Sequence, residues 1–360
     1  MAPALKRFLA VFFLVSSALW ASKADSSFQR LAGLPIIAYT QETKVLVGAT
    51  TMVFFKPNDF QPYGDQIDIA VMRTQNKQNR LTALWKSYWF QGKVYAENKI
   101  NYRSWPGKYY GNFSQEKIDA ERYDMLTLQV DGRWLYGLEH IFPWTGWLEP
   151  FSWGVEYDIE YNSAKFANKT AANDIIHSGN RVGLGISIVR DTRDNVNYAS
   201  TGSYLLWRQL FYPKQLGSTH EFINTIVQYC HFIPLFNHLV LALGVYGQGT
   251  WGDVPFDRLA IPDGTYQMRG LEKGIWRDKQ QLVWQSEVRF PLFWRLGGVV
   301  FAEAAQLGSH FSGLLRSPVK FDVGMGGRFV LNAERKLNAR ADLSWVNQRL
   351  GVTIYYNEAF

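Results

Sequence analysis

Between Gln280 and Phe290 the chain alternates between two chemistries. Leu282, Trp284, Val288 and Phe290 fall on one face of an extended segment, and Gln281, Gln285, Glu287 and Arg289 fall on the other. Successive side chains of a strand point to opposite faces, so this period of two reads as a strand with one apolar and one polar side. The same alternation, punctuated by turn formers, recurs along the chain and predicts sixteen strands. They are placed at Pro35–Thr40, Lys44–Lys56, Asp65–Gln75, Arg80–Phe90, Lys93–Arg103, Glu121–Tyr136, Glu149–Tyr161 and Asn180–Arg190, and then at Gly202–Tyr212, His220–Pro234, His238–Trp251, Gln280–Trp294, Gly297–Gln306, Phe321–Leu331, Lys336–Asn347 and Gly351–Phe360. Two long connections interrupt them, Ser104–Ala120 (containing WPGKYYGNF) and Gly252–Lys279. A count of fourteen is the alternative.

A charged side chain facing lipid near mid-bilayer costs about 2–4 kcal/mol. If the Gln280 strand spans a membrane, Glu287 and Arg289 must therefore face the inside of a closed sheet. A half-buried strand of a soluble sandwich would look the same locally. The final segment, GVTIYYNEAF, places Val352, Ile354, Tyr356 and Phe360 on one face, along with Glu358. Chain ends commonly fray, whereas a barrel in lipid needs a last strand that pairs and leaves no open edge.

The N-terminus points the same way. Lys6 and Arg7 precede an apolar run, Phe8–Leu19, which is followed by Ser22-Lys23-Ala24. This is the order of a secretory signal peptide, residues 1–24, with cleavage expected after Ala24. The run is shorter than the roughly 20 residues a membrane helix needs. Aromatic residues make up 16% of the chain and charged residues only 19%, yet mean hydropathy is slightly negative. Lipid-facing and lumen-facing residues alternating along strands give that combination.

Net charge is +7. Without Lys6, Arg7 and Lys23 the 38 basic residues fall to 35 against 31 acidic ones, leaving +4, too mild to suggest nucleic acid. The single Cys230 excludes an intramolecular disulfide framework. No linker or low-complexity tract divides the chain, so one all-β domain is expected over Asp25–Phe360, a transmembrane antiparallel barrel.

Four segments resemble one family. Asp191-Thr-Arg193-Asp194-Asn195, followed by Tyr198 and Thr201-Gly202, resembles the D-x-R-D-N … Y-P-x-x-G hairpin of the bacterial surface antigen family, the BamA/TamA-type outer-membrane barrels of Gram-negative bacteria. Met268-Arg269-Gly270-Leu271 resembles that family's V-R-G-F/Y motif. Gly298-Val-Val-Phe301-Ala-Glu303 resembles its G-x-x-F-x-D strand motif, and Gly324-Met-Gly-Gly-Arg328 through Arg340 and Asp342 to Phe360 its closing segment. The likeness is best over residues 180–360. The chain departs from the pattern at Met268, Leu271, Ala199 and Glu303. Only about ten residues, Asp25–Leu34, precede the first strand, far fewer than a domain needs, so the chain resembles the short branch of the family without POTRA domains.

The resemblance implies that the Gly252–Lys279 loop folds into the lumen and that Arg269 meets Glu303 and Glu287 on the wall. Arg presents a planar fork suited to carboxylates, and Gly270 permits a tight turn beside it. The alternative is an Arg269 solvated in an external loop. For Asp191–Asn195 with Gly202, capping a hairpin is the plainer role than binding, since Asp, Asn and Gly are turn formers.

Enzymatic signatures are missing from the sequence. No G-x-S-x-G elbow occurs, and His140, His177, His220, His231, His238 and His310 show no zinc spacing. No catalytic residue, cofactor or metal is expected. Two function classes remain. The first is an assembly, insertion or translocation factor, with the lipid bilayer and unfolded outer-membrane proteins or other cargo as partners. It would act through a weak seam between the first and last strands, where Pro35 removes a ladder donor. The second is a passive porin-like pore or a structural barrel.

Overall fold

A computed structural model of the chain describes residues 31–55, 64–111, 120–141, 150–167, 178–333 and 336–360. The signal-peptide segment, residues 1–24, lies outside the described residues.

Sixteen antiparallel strands close into one barrel, each paired with its sequence neighbours and the last with the first. The first eight are β1 (Leu31–Thr40), β2 (Lys44–Phe54), β3 (Gln66–Thr74), β4 (Asn79–Trp89), β5 (Val94–Tyr109), β6 (Glu121–Gly137), β7 (Phe151–Phe166) and β8 (Gly179–Asp191). The others are β9 (Gly202–Tyr212), β10 (Phe222–Pro234), β11 (Val240–Gly252), β12 (Gln280–Pro291), β13 (Leu296–Gly308), β14 (Lys320–Asn332), β15 (Leu337–Val346) and β16 (Arg349–Tyr356). The β1–β2, β3–β4, β11–β12 and β15–β16 connections lie at one rim, the loop end. Residue Leu31 and residues 357–360 lie at the other, the terminus end.

The faces follow the sequence alternation. On β12, Gln281, Gln285, Glu287 and Arg289 are buried inward while Leu282, Trp284, Val288 and Phe290 are half-exposed outward. Ile69, Val71, Ile100, Val155 and Met325 are among the exposed apolar residues of the outer wall. Aromatic side chains flank this band. Trp85, Trp89, Trp134 and Trp153 are exposed toward the terminus end, and Trp251, Phe321 and Trp345 toward the loop end. Aromatics at those two heights suit the two interfaces of a bilayer.

Three elements differ from the sequence reading. β5 continues past Arg103 to Tyr109, so the first six residues of the expected Ser104–Ala120 loop are strand, and residues 112–119 lie outside the described residues. β4 stops pairing at Asn79–Ser104 while β6 pairs on to Tyr109–Glu121, so Pro106 sits where one side of β5 has no neighbouring strand. Proline is tolerated at such an edge. β1 begins at Leu31 and runs through Pro35. Ile37 N–H donates to the Tyr356 hydroxyl at 3.1 Å, and that hydroxyl donates to Pro35 O at 3.4 Å. N–H and C=O of one strand residue point the same way, so the N–H that Pro35 lacks belongs to the β16 edge. Finally, β16 stops at Tyr356 rather than Phe360. Asn357 adopts a left-handed backbone, φ 61°, and turns the remaining residues into the barrel.

Candidate functional site in the barrel lumen

Residues 253–279, between β11 and β12, return into the barrel. Asp263 Oδ1 accepts the N–H groups of Thr265, Tyr266 and Gln267 at 2.8, 2.7 and 3.0 Å, and Gly264 N–H donates to Gln267 O at 2.9 Å. These bonds tie off a tight tip. Gly270 has φ 79°, and an added Cβ there would lie 2.5 Å from Ser344 Oγ and 2.7 Å from Gly351 Cα. Only glycine lets the tip approach the inner faces of β15 and β16 this closely.

Arg269 stands at that tip, fully buried. Its Nε donates to Glu303 Oε1 at 2.8 Å, and its Nη1 donates to Glu287 Oε2 at 2.6 Å and lies 3.7 Å from Asp342 Oδ2. Its backbone N–H donates to Glu303 Oε2 at 3.2 Å, and Ser344 Oγ donates to its carbonyl. Its guanidinium lies 3.6 Å above the centroid of the Phe301 ring, a cation–π contact. Burial alone would lower the Arg269 pKa. The charges of Glu287, Glu303 and Asp342 outweigh it and raise the value, holding the proton more firmly than water does.

The network extends beyond Arg269. Glu287 also accepts Arg289 Nε at 2.7 Å and Arg328 Nη2 at 3.4 Å. Arg328 donates to Asp342 at 2.6 Å and to Glu358 at 2.7 Å, while Arg340 donates to Asp342 at 2.9 Å and to Thr265 O at 2.5 Å. Asn338 adds a second bond to Glu358, at 3.1 Å. Arg289 reaches Ala199 O and Phe360 O, each at 3.1 Å. Residues 357–360 thus cross the lumen as a strap. The Phe360 ring packs toward Phe232, 6.5 Å between centroids, over the space that Gly244 leaves.

The Asp191–Gly202 hairpin joins the same network. Asp194 Oδ1 accepts Ser200 and Thr201 N–H at 2.7 and 3.2 Å, and Asn195 Oδ1 accepts Asn197 and Tyr198 N–H at 2.9 and 3.0 Å. Arg193 forks onto Asp191 at 2.9 and 2.7 Å. The turn presents Tyr198 to Arg289, 5.1 Å from guanidinium to ring centroid, and its Asp194 pairs at 3.1 Å with Lys336 of the β14–β15 turn. It reaches across the mouth, beyond the turn-capping that its residue types imply. Of the strand-face residues at the C-terminus, Val352, Ile354 and Tyr356 stay on the outward face of β16; Phe360 leaves it.

A second clamp escaped the sequence reading. Asp257 takes both Nη1 and Nη2 of Arg181 at 2.8 Å, and Arg258 meets Asp158 at 2.9 Å and Glu160 at 2.6 Å. Phe256 inserts among Tyr109, Tyr123 and Phe166. The signal was there: Glu156, Asp158 and Glu160 place acids on alternate, inward positions of β7. The loop is therefore fastened to the wall at β7–β8 near its start and at β12–β15 near its tip. Burial alone would raise the Asp257 pKa, but the adjacent Arg181 charge and its hydrogen bonds win and hold the carboxyl low. A depressed carboxylate stabilises above its unfolded pKa of about 3.9 and loses that contribution as pH falls through the folded value. We therefore expect protease cleavage near residues 253–258 to be slow at neutral pH and to rise only below about pH 4. An Asp257→Asn variant should be cleaved readily at both; equal resistance would contradict the clamp.

One carboxylate is misplaced for stability. Asp322 is fully buried, sits opposite Glu303 in the β13–β14 ladder and makes no ion pair or side-chain hydrogen bond among the described residues. Asp322→Asn should remove an unpaired buried acid beside Glu303 and stabilise the barrel by about 1–3 kcal/mol. A lower urea midpoint for the variant would show that the acid itself is used.

Residues 61–335 match the Omp85 superfamily domain. No curated protein sequence matches the chain. Among solved structures, BamA from Haemophilus ducreyi lacking POTRA domains 1–3 is similar at TM-score 0.61 and 11% identity, over 92% of this chain and 70% of that one. CdiB from Escherichia coli is similar at TM-score 0.64 and 9% identity, over 92% and 63%, and CdiB from Acinetobacter baumannii at 0.56 and 9%, over 92% and 60%. The chain thus spans less than two thirds of either CdiB chain. At these identities the likeness is one of fold.

Proposed function

The chain belongs to the Omp85 superfamily, and from that premise we propose that it is an outer-membrane barrel that assists the insertion or export of polypeptides through a side seam. The observation that carries this reading is the pairing of β1 with β16. It consists of one registered pair, Tyr39 with Ile354, whereas β1 and β2 pair from Leu31–Val53 to Thr40–Lys44 without a break. An edge so thinly paired can part and offer its backbone to an incoming strand by β-augmentation.

Three features support an opening at that place. Pro35 removes a donor on the seam side of β1. The strap turns β16 away at Asn357; extending the Tyr39–Ile354 register would set Glu358 opposite Pro35 and Phe360 opposite Gly33. Strand length also falls toward the seam. β16 has 8 residues and β6 has 17, which at about 3.4 Å per residue and a tilt near 40° gives roughly 21 Å of wall against 44 Å. A wall shorter than the apolar band thins the lipid beside it.

The Arg269 clamp has its role here. By bracing Gly270 against Gly351 and Arg269 O against Ser344, it supports β15 and β16 from inside, so the loop governs the stiffness of the seam strand. Residues 1–24 would export the chain, and the terminus end would face the periplasm.

A passive pore is the second reading, favoured by a polar cavity beside β5–β10 where Lys99, Arg133 and Arg208 face Glu97, Asp131 and Glu156. Reconstitution separates the two. The purified barrel in liposomes is expected to speed the folding of a small unfolded outer-membrane protein over empty liposomes. Steady ion conductance without acceleration would move the chain to the pore class.

A further inference from the structure

The outer wall beside the seam carries a feature that the lumen site does not use. Arg73 is the outward, loop-end residue of β3, two positions beyond Val71, and Lys77 caps the adjacent β3–β4 turn; both are exposed. Neither makes an ion pair with a described residue. The one acid on the two neighbouring turns, Glu42, already accepts the Trp105 indole N–H at 2.7 Å. Those turns are tied together, Asn76 Nδ2 to Glu42 O at 2.6 Å and Gln75 N–H to Val45 O at 2.7 Å, so the cations are held on a fixed rim.

An open apolar groove begins at Val47, the cross-strand partner of Arg73, and continues below it over Val71, Leu81 and Tyr102. All four are exposed on the outer wall. The vertical order is cation above and apolar trough beneath, at the height where the wall passes from head groups to hydrocarbon. That order matches one amphiphile, an anionic lipid with its phosphate uppermost and an acyl chain below. β3 stands two strand spacings from β1, about 10 Å, so a lipid held there would sit at the flank of the seam.

We propose that Arg73 and Lys77, with the Val47–Val71–Leu81–Tyr102 groove, bind one anionic membrane lipid, phosphate on the cations and an acyl chain in the groove. Each basic residue near a lipid surface contributes favourably to anionic head groups, and the groove makes the contact selective for a chain-bearing phosphate over the free ion.

The test is native mass spectrometry of the full-length barrel released from micelles doped with equal phosphatidylglycerol and phosphatidylcholine. Expected is preferential retention of phosphatidylglycerol, reduced about tenfold in Arg73→Gln/Lys77→Gln and also reduced in Val71→Trp, which fills the groove. Lys214→Gln, on the distant β9–β10 turn, should retain lipid as the parent does, and excess inorganic phosphate should not displace it. Heat-modifiable gel mobility checks that each variant forms the barrel. Equal retention of the two lipids, an unchanged Arg73→Gln/Lys77→Gln variant, equal loss in Lys214→Gln, or displacement by inorganic phosphate would each overturn the site.

Discussion

Replacing Arg269 with alanine is expected to free residues 253–279 from the β12–β15 wall and to destabilise the barrel by about 3–5 kcal/mol. The size follows from what is left behind. Glu287 and Glu303 are both buried, and each would lose its bond to Arg269 while remaining out of water. Phe301 would lose the guanidinium stacked on it, and the tip would lose its hold on Ser344. An exposed ion pair would be worth about 1 kcal/mol at most; this one is shielded on every side. Lysine is a poor substitute, because a single ammonium cannot fork between two carboxylates. Urea unfolding reads the stability and limited proteolysis reads the loop. A variant with the parent's midpoint and the parent's loop resistance would mean that Arg269 does not fasten the loop.

The second large effect is expected at Arg328. Its guanidinium joins three carboxylates, Glu287, Asp342 and Glu358, and so ties the loop network to the strap. Arg328→Ala should cost about 3–5 kcal/mol for the same reason. It should also release residues 357–360, because Asn338 alone would then hold Glu358. Hydrogen exchange would show the release as lost protection over residues 349–360, while β5–β7, far round the barrel, keep theirs. Uniform loosening of all strands would assign Arg328 to general stability. Unchanged protection at the strap would show that Phe360 alone secures it, through Phe232 and Arg289.

How much of the fold is legible in the sequence depends on what each feature requires. The barrel was legible because lipid enforces the alternation: Glu287 and Arg289 could not face outward, so the direction of β12 followed. The strand count and most boundaries came from the same constraint. Pro106 misled, since a Pro-Gly pair reads as a turn or loop. Its place in β5 depends on where β4 stops, a fact about pairing that no local pattern carries. The end of β16 misled for a similar reason. GVTIYYNEAF alternates cleanly, but the left-handed Asn357 and the partners of Glu358 and Phe360 are contacts with β10, β12, β14 and β15.

The site was partly legible. Arg269, Glu303 and Glu287 were reached through motif resemblance, because the 34 residues separating Arg269 from Glu303 carry no spacing signal of their own. Phe301 was in the motif, but its stacking was not. Alternation already turned Arg289 inward, and Arg328, Arg340 and Asp342 stood in the closing segment of the resemblance, but their meeting with Glu287 and with one another needs the fold. The Asp257–Arg181 clamp joins a loop to a strand 76 residues away, and only the fold brings them together.

The most direct test of a working side seam is to close it. Tyr39 and Ile354 are the registered pair of β1 and β16, and cross-strand neighbours lie within disulfide reach. Cys230 is buried and would not compete. A Tyr39→Cys/Ile354→Cys barrel in liposomes should accelerate the folding of a small outer-membrane protein when reduced, and lose that acceleration when oxidised. Equal acceleration in both states would contradict a seam that must open.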